Sequence, residues 1–113
     1  MEDYEIKQAP LEWEYVPKFR GNDKRTEPFT VTLKQLSTRQ VNGAIEITVE
    51  GPKVNYEKIF INGLVKVNRF KVDGKQIVTA DDILDTPGLY PLFTELTVEI
   101  QNGNLILDTD LKN

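Results

Sequence analysis

The side chains best placed to do chemistry are three carboxylates that follow Thr79, namely those of Asp81, Asp82 and Asp85. Carboxylates this close together can bind a hard divalent cation, but the ligand spacing and the glycine of an EF-hand loop are absent. A hydroxyl followed by acidic residues also typically begins a helix, where it satisfies N–H groups that have no partner within the helix. We therefore expect a helix N-terminus here and no metal site.

The sequence contains no histidine and no cysteine. These absences remove the usual general base near neutral pH, the commonest metal ligand, thiolate nucleophiles and disulfide bonds. Carboxylate pairs alone serve glycosidases, but those enzymes need a preformed cleft that a domain of this size seldom provides. A phosphate-binding glycine loop, a nucleophile elbow and zinc-ligand spacing are also missing from the sequence. The sequence therefore predicts no enzymatic activity, no catalytic residue and no cofactor.

Charge and length limit the classes of partner. A chain of 113 residues suits one domain with one core. The formal net charge of -4 disfavours nucleic acid, because phosphate binding needs clustered Lys and Arg. No apolar run approaches the roughly 20 residues that span a bilayer, and no signal-peptide h-region is present. We expect a soluble protein with no nucleic-acid or membrane partner, and flexible segments at residues 1–10 and 105–113.

A basic segment at residues 20–28 is the other group that could bind a ligand. It carries Arg20, Lys24 and Arg25 among Gly, Asn and Pro residues, a composition typical of an exposed loop. One interpretation is a docking loop for an acidic partner, and the other is a solvated connection without a partner.

Two extended segments lie on either side of this loop. Residues 11–19 alternate in polarity, and Pro17 restricts them to a sheet edge or a strand end because proline cannot donate to the ladder. Trp13 within them is interpreted as a packing residue. Phe29, Val31 and Leu33 alternate with polar residues, which predicts a half-buried strand.

Residues 37–51 give conflicting signals. Asn42-Gly43, followed by alternating apolar residues, is a hairpin signal. Ser37 and Gln40, however, have the spacing of a capping box, and Gly51 is placed to end a helix. We favour the helix, although its β-branched residues weaken it.

The central part of the sequence predicts a short helix and then a hairpin. Asn55 can cap a helix that runs through Asn62 and ends at Gly63. Residues 64–72 then predict a strand, with a bulge near positions 68–69 where the apolar phase shifts. Asp73-Gly74 suits a tight turn, after which residues 76–78 pair back.

A second helix is predicted to open at Gly88, with Pro91 in its first turn. Apolar residues recur there at helical spacing, and the stripe either packs on the protein's own sheet or anchors a partner. The helix is expected to end at residues 101–104 and to leave an apolar tail that orders on contact. A competing interpretation is a hairpin through Asn102-Gly103. Together the elements predict an α+β fold, with a small antiparallel sheet, two to four short helices and a single core; the alternative is a mainly β fold.

The order of several segments resembles a known family of small proteins. These segments are WEYVPKFRGN at residues 13–22, LSTRQ at 36–40, VKVNRFKVDGKQIVTADDILDTPGL at 65–89 and the closing KN. They look like small tail-morphogenesis proteins of long-tailed bacteriophages and prophages, in particular the tail assembly chaperones encoded near the tape measure protein. The resemblance covers most of the chain from Trp13 and includes no catalytic signature.

The resemblance implies a non-enzymatic role in the bacterial host cytoplasm, where such a chaperone keeps the tape measure protein soluble while tail tube subunits assemble. The first alternative is a structural neck or tail subunit that forms a ring and stays in the virion. The second is a small host-directed binding module. For a partner or for self-association we predict apolar contact residues on the last helix and tail, namely Leu89, Leu92, Phe93, Leu96, Leu105, Leu107 and Leu111.

Overall fold

The structure is a computed structural model that describes residues 3–7 and 11–112, and the side chains of these residues as far as position 104. Short strands and helices are interspersed along the described chain. In chain order they are β1 (Glu12–Tyr15), a 3-10 helix (Phe19–Lys24), β2 (Thr30–Lys34), α1 (Thr38–Gly43), β3 (Ile45–Thr48), β4 (Gly51–Val54), α2 (Tyr56–Gly63), β5 (Leu64–Asn68), β6 (Phe70–Val72), β7 (Lys75–Ile77), α3 (Ala80–Asp85) and α4 (Tyr90–Lys112).

The central sheet is antiparallel and has the strand order β1-β2-β5. Val31 of β2 lies between Tyr15 of β1 and Val67 of β5, and its side chain is completely buried. The predicted strand at this position is confirmed, since its alternating apolar residues point into the core. Strand β1 lies at the sheet edge and ends at Tyr15, before Pro17, in agreement with the predicted edge or strand end.

Helices α2 and α4 cross one another and contribute to one hydrophobic core with the central sheet. Phe60 of α2 lies edge-on to Phe93 of α4, with ring centroids 4.9 Å apart. The α+β prediction is confirmed, and the mainly β alternative is wrong. Buried apolar residues of the core are Phe29, Val31, Leu33, Ala44, Ile59, Phe60, Leu64, Val67, Ile77, Ile83, Leu89, Leu92, Leu96 and Ile100.

Residues 37–51 contain both a helix and a strand. The capping box is formed, because Ser37 Oγ accepts from the Gln40 N–H and Gln40 Oε1 accepts from the Ser37 N–H. Helix α1 nevertheless ends at Gly43, and β3 pairs with β4 from there on. The predicted helix through Gly51 is therefore wrong, since β-branched residues from Ile45 onward prefer extended backbone. The predicted hairpin turn at positions 42–43 is also wrong, because the chain reverses between Thr48 and Gly51.

The central elements follow the sequence closely. Asn55 caps α2 by accepting from the Lys58 N–H at 3.2 Å, and the helix ends at Gly63 as predicted. The predicted irregularity near positions 68–69 is Arg69, whose φ of 64° separates β5 from β6. Asp73 and Gly74, both with positive φ, form the tight turn between β6 and β7.

Helix α4 extends beyond its predicted end at residues 101–104 and continues to Lys112. The alternative hairpin through Asn102-Gly103 is also wrong, because both residues lie inside α4. Gly103 inside a helix costs about 1 kcal/mol relative to alanine. Here it has a packing role, because a Cβ atom at this position would lie 2.6 Å from the Trp13 ring. Close approach between β1 and α4 therefore accounts for a glycine that looked like a stop signal.

The segments predicted to be flexible, residues 1–10 and 105–113, are described in part. Residues 3–7 have no regular secondary structure. Positions 1–2, 8–10 and 113 lie outside the described residues, as do the side chains of Leu105, Leu107 and Leu111.

Candidate functional site

Four of the predicted contact residues lie in the core or against it. Leu89, Leu92 and Leu96 are buried against the sheet and α2, and Phe93 is partly buried against the same cluster. Their surfaces are therefore already used by the fold, as expected for an amphipathic helix that packs on its own sheet.

Apolar residues are instead exposed on the β3–β4 hairpin. Cross-strand partners share a face, so Ile45 and Val54 lie beside Ile47 and Pro52 on one side of the hairpin. Each of the four is exposed, with Ile47 at 82%. We call these four residues the apolar hairpin face. Val49 in the turn beyond them is fully exposed.

The opposite side of the hairpin is polar. Glu46 and Lys53 are cross-strand partners there. Glu46 also accepts a hydrogen bond from the Asn55 side chain at 2.9 Å and lies 3.8 Å from the Lys58 ammonium group. These contacts are exposed and fix the base of the hairpin against α2, so the polar side holds the hairpin in place while the apolar face is left uncovered.

The two outer edges of the hairpin differ in hydrogen-bonding capacity. The Asn55 N–H donates to the Ala44 carbonyl oxygen at 2.6 Å, so Ala44 and Asn55 form a hydrogen-bonded pair of the ladder. Hydrogen-bonded and non-hydrogen-bonded pairs alternate along an antiparallel ladder. Ile47 and Pro52 are therefore a non-hydrogen-bonded pair, and their backbone groups point outward. Pro52 has no N–H to offer on the β4 edge. The β3 edge keeps its outward N–H and C=O groups and is therefore the edge suited to receive another strand.

A second surface is a cleft of about 330 Å³ between the 3-10 helix, the β6–β7 turn and the segment before α4. Its apolar part includes Phe19 and Phe70, whose rings meet edge-on with centroids 6.4 Å apart. Its charged side chains are Arg20, Arg25 and Lys71, with Asp73 as the one acid. We call it the basic cleft. Two of the three basic residues predicted for the docking loop line it, whereas Lys24 does not.

The loop that forms one wall of the cleft is held by a buried side chain. Asn22 donates to the carbonyl oxygens of Pro17 and Phe29 at 2.8 and 2.9 Å and accepts from the Phe29 N–H at 2.9 Å. Next to it, Arg20 has a φ of 49° and places its guanidinium group 5.2 Å from the centre of the Phe19 ring. Asn22 stabilises the loop and the cation–π contact orients Arg20, so this wall is formed before any ligand binds.

The acidic cluster after Thr79 has a structural role, as predicted. Thr79 Oγ1 accepts from the Asp82 N–H, and Asp82 Oδ2 accepts from the N–H groups of Val78 and Thr79 at 2.9 and 3.0 Å. These backbone hydrogen bonds lower the pKa of Asp82. In the described part of the chain, no group of three His, Cys, Asp or Glu residues is placed to hold a metal ion.

Comparison with known proteins gives no relative from which a function could be transferred. No protein-family model, curated protein or solved structure matches the chain. Within the described ranges, no helix has both the length and the apolar character that a membrane span requires.

Proposed function

We propose that this protein is a non-enzymatic assembly protein that binds an extended apolar segment of another protein along the β3–β4 hairpin. Following the resemblance to tail assembly chaperones, the proposed client is the tape measure protein of a phage tail, bound during tail morphogenesis in the host cytoplasm. The observation that carries the proposal is the exposed apolar hairpin face beside the open edge of β3.

Geometry supports this mode of binding. A client strand that pairs with β3 satisfies the outward backbone groups of Ile45 and Ile47, and its alternate side chains then lie next to the apolar hairpin face. Burial of apolar surface contributes roughly 25 cal/mol per Å², so apolar side chains are favoured in the client. Helical residues also outnumber strand residues, 41% against 28%, which is the balance expected of an assembly chaperone in this family.

The open edge of β3 also supports a second candidate function. In a ring-forming neck or tail subunit, the same edge would pair with a neighbouring copy, and the protein would remain in the virion. The two candidates therefore use one surface with different occupants, and they differ in whether the mature particle contains this protein.

The proposal is tested by tagging the protein in its native phage or prophage background and identifying by mass spectrometry what copurifies with it before and after particle assembly. Tape measure protein in the lysate complex, with none of this chain in purified particles, supports the chaperone. Stoichiometric presence in the particle contradicts it and favours the structural subunit. Copurification of a host protein without tail proteins overturns both candidates.

Two double variants test whether the hairpin makes the interaction. Ile47→Thr with Val49→Thr keeps β-branched residues while removing exposed apolar surface, and it is expected to abolish recovery of the tape measure protein. Val65→Thr with Val78→Thr also replaces two β-branched apolar residues by threonine, at exposed positions outside the hairpin. Recovery should be retained in this control. Equal loss from both variants would contradict binding by the hairpin.

A further inference from the structure

The basic cleft is a site separate from the proposed client surface, since it shares no residue with the apolar hairpin face. It brings Arg20, Arg25 and Lys71 around aromatic side chains in a chain whose net charge is -4. Among the described residues, none of these three basic side chains has a carboxylate within 4.0 Å. This combination favours a peptide with carboxylates next to an aromatic or aliphatic side chain.

The chain itself contains a segment with this chemistry. Residues 3–7 have no regular secondary structure and alternate acidic with apolar side chains, in the order Asp3, Tyr4, Glu5, Ile6. Tyr4 and Ile6 are 94% and 62% exposed, so their apolar surface is uncovered. We call residues 3–7 the acidic segment. None of its residues lines the basic cleft of the same molecule.

We propose that the acidic segment of one copy binds in the basic cleft of a second copy, with Tyr4 against the aromatic rings of the cleft and Asp3 and Glu5 beside its basic side chains. Charges are complementary, because the cleft carries three cations and one anion while the segment carries two anions and one cation. A volume of about 330 Å³ is at the small end of the range for binding sites, which suits one or two inserted side chains.

This contact joins two different surfaces, the acidic segment of one copy and the basic cleft of another. Reciprocal exchange of segments gives a two-fold dimer, whereas repetition in one direction closes into a ring or extends as a filament. The hairpin stays free in each case, so self-association through the cleft is compatible with either candidate function.

The test is a charge exchange in the full chain, with association measured by sedimentation velocity. Arg25→Glu with Lys71→Glu reverses the cleft, and Asp3→Lys with Glu5→Lys reverses the segment. Each double variant alone is expected to dissociate about a hundredfold more readily than the wild type. A mixture of the two restores complementary charges at each contact between unlike copies and should associate. Lys24→Glu with Arg39→Glu makes the same change of net charge as the cleft reversal, at positions outside the cleft, and should associate as the wild type does.

Circular dichroism and thermal unfolding of each variant separate loss of binding from loss of fold. Arg20 is left unchanged because its positive φ and its contact with Phe19 belong to the loop itself. A wild type that stays monomeric at all concentrations overturns the proposal, as does association that neither reversal weakens. Failure of the mixture to associate also overturns it. Because the hairpin is unaltered in every variant, none of these outcomes bears on client binding.

Discussion

Tyr15 and Glu95 join the first strand to the last helix through a short hydrogen bond. The Tyr15 hydroxyl donates to Glu95 Oε2 at 2.6 Å, and the same oxygen accepts from the Lys18 N–H at 2.7 Å. Both partners come from distant parts of the sequence, and nothing in the local pattern pairs them. Single residues of this kind fix the angle at which β1 lies on α4.

Stability should fall at high pH through Tyr15. Burial, the hydrogen bond to Glu95 and nearby negative charges raise the pKa of Tyr15 above its usual value of 10.0. The unfolded chain then loses this proton at a lower pH than the folded protein does. The stabilisation is therefore fully present below pH 10 and is lost as pH rises from there towards the raised pKa.

The measurement is urea unfolding from about pH 8 to about pH 11 for the wild type and for Tyr15→Phe. The wild type should lose stability more steeply with pH than the variant, which has no hydroxyl at this position. Parallel pH profiles for the two proteins would contradict a raised pKa. Tyr90→Phe serves as the control because Tyr90 is largely exposed, and its profile should follow that of the wild type.

At the scale of elements, caps and turns are predicted correctly from local sequence, whereas the ends of α1 and α4 and the exposure of β3 are not. Asn55, Thr79 and the turn at Asp73-Gly74 act through hydrogen bonds and dihedral angles within a few residues, so their types and spacing are sufficient. Gly103 has the composition of a stop, yet it lies inside α4 against Trp13. That contact joins residues from opposite ends of the chain and has no local signal.

The crossing of α2 and α4 is expected to depend on Gly63. A Cβ atom at Gly63 would lie 2.6 Å from side-chain atoms of Ile100, which is completely buried. Gly63→Ala should therefore lower the free energy of unfolding by about 1–3 kcal/mol, because the crossing has no space for an added methyl group. Chemical denaturation with a fixed m value measures the loss.

Two companion variants make this prediction specific. Gly43 is the last residue of α1, and no atom lies within 4 Å of the Cβ that alanine would add there. Gly43→Ala should therefore be neutral or should raise the free energy of unfolding by up to about 1 kcal/mol. Combining Gly63→Ala with Ile100→Val should cost less than the sum of the two single changes, since the smaller side chain relieves the overlap. Strict additivity would show that the two residues do not meet.

At the scale of the whole molecule, the buried core lies in one part of the fold, and the β3–β4 hairpin lies outside it. The central sheet, α2 and α4 contribute most of the buried apolar residues, whereas β3 and β4 contribute none. An isolated two-stranded hairpin is marginally stable in water. Its base is fixed by the backbone hydrogen bond from Asn55 to Ala44 and by the exposed polar contacts of Glu46 with Asn55 and Lys58.

Amide hydrogen exchange should therefore divide the molecule into two classes. Amides of β3 and β4 are expected to exchange through local opening, with protection far below that of β2, whose amides exchange only on global unfolding. Binding of the proposed client along β3 would raise protection in the hairpin without changing β2. Hairpin amides that are as protected as those of β2 in the isolated protein would contradict a weakly held hairpin.

Local sequence was enough for the α+β class, the capping boxes, the glycine-containing turn and the buried strand around Val31, because each depends on side-chain periodicity or on contacts within a few residues. Which apolar residues remain exposed depended on the tertiary arrangement. The stripe on α4 and the alternation in β3 are equally apolar in sequence, yet the stripe is buried and the hairpin face is open. The physical reason is that burial requires a covering element, and the chain places α2 and the sheet over the stripe but no element over the hairpin in its described part. The basic cleft also depends on the tertiary structure, since Arg25 and Lys71 line one cleft only because the segment after the 3-10 helix lies near β6.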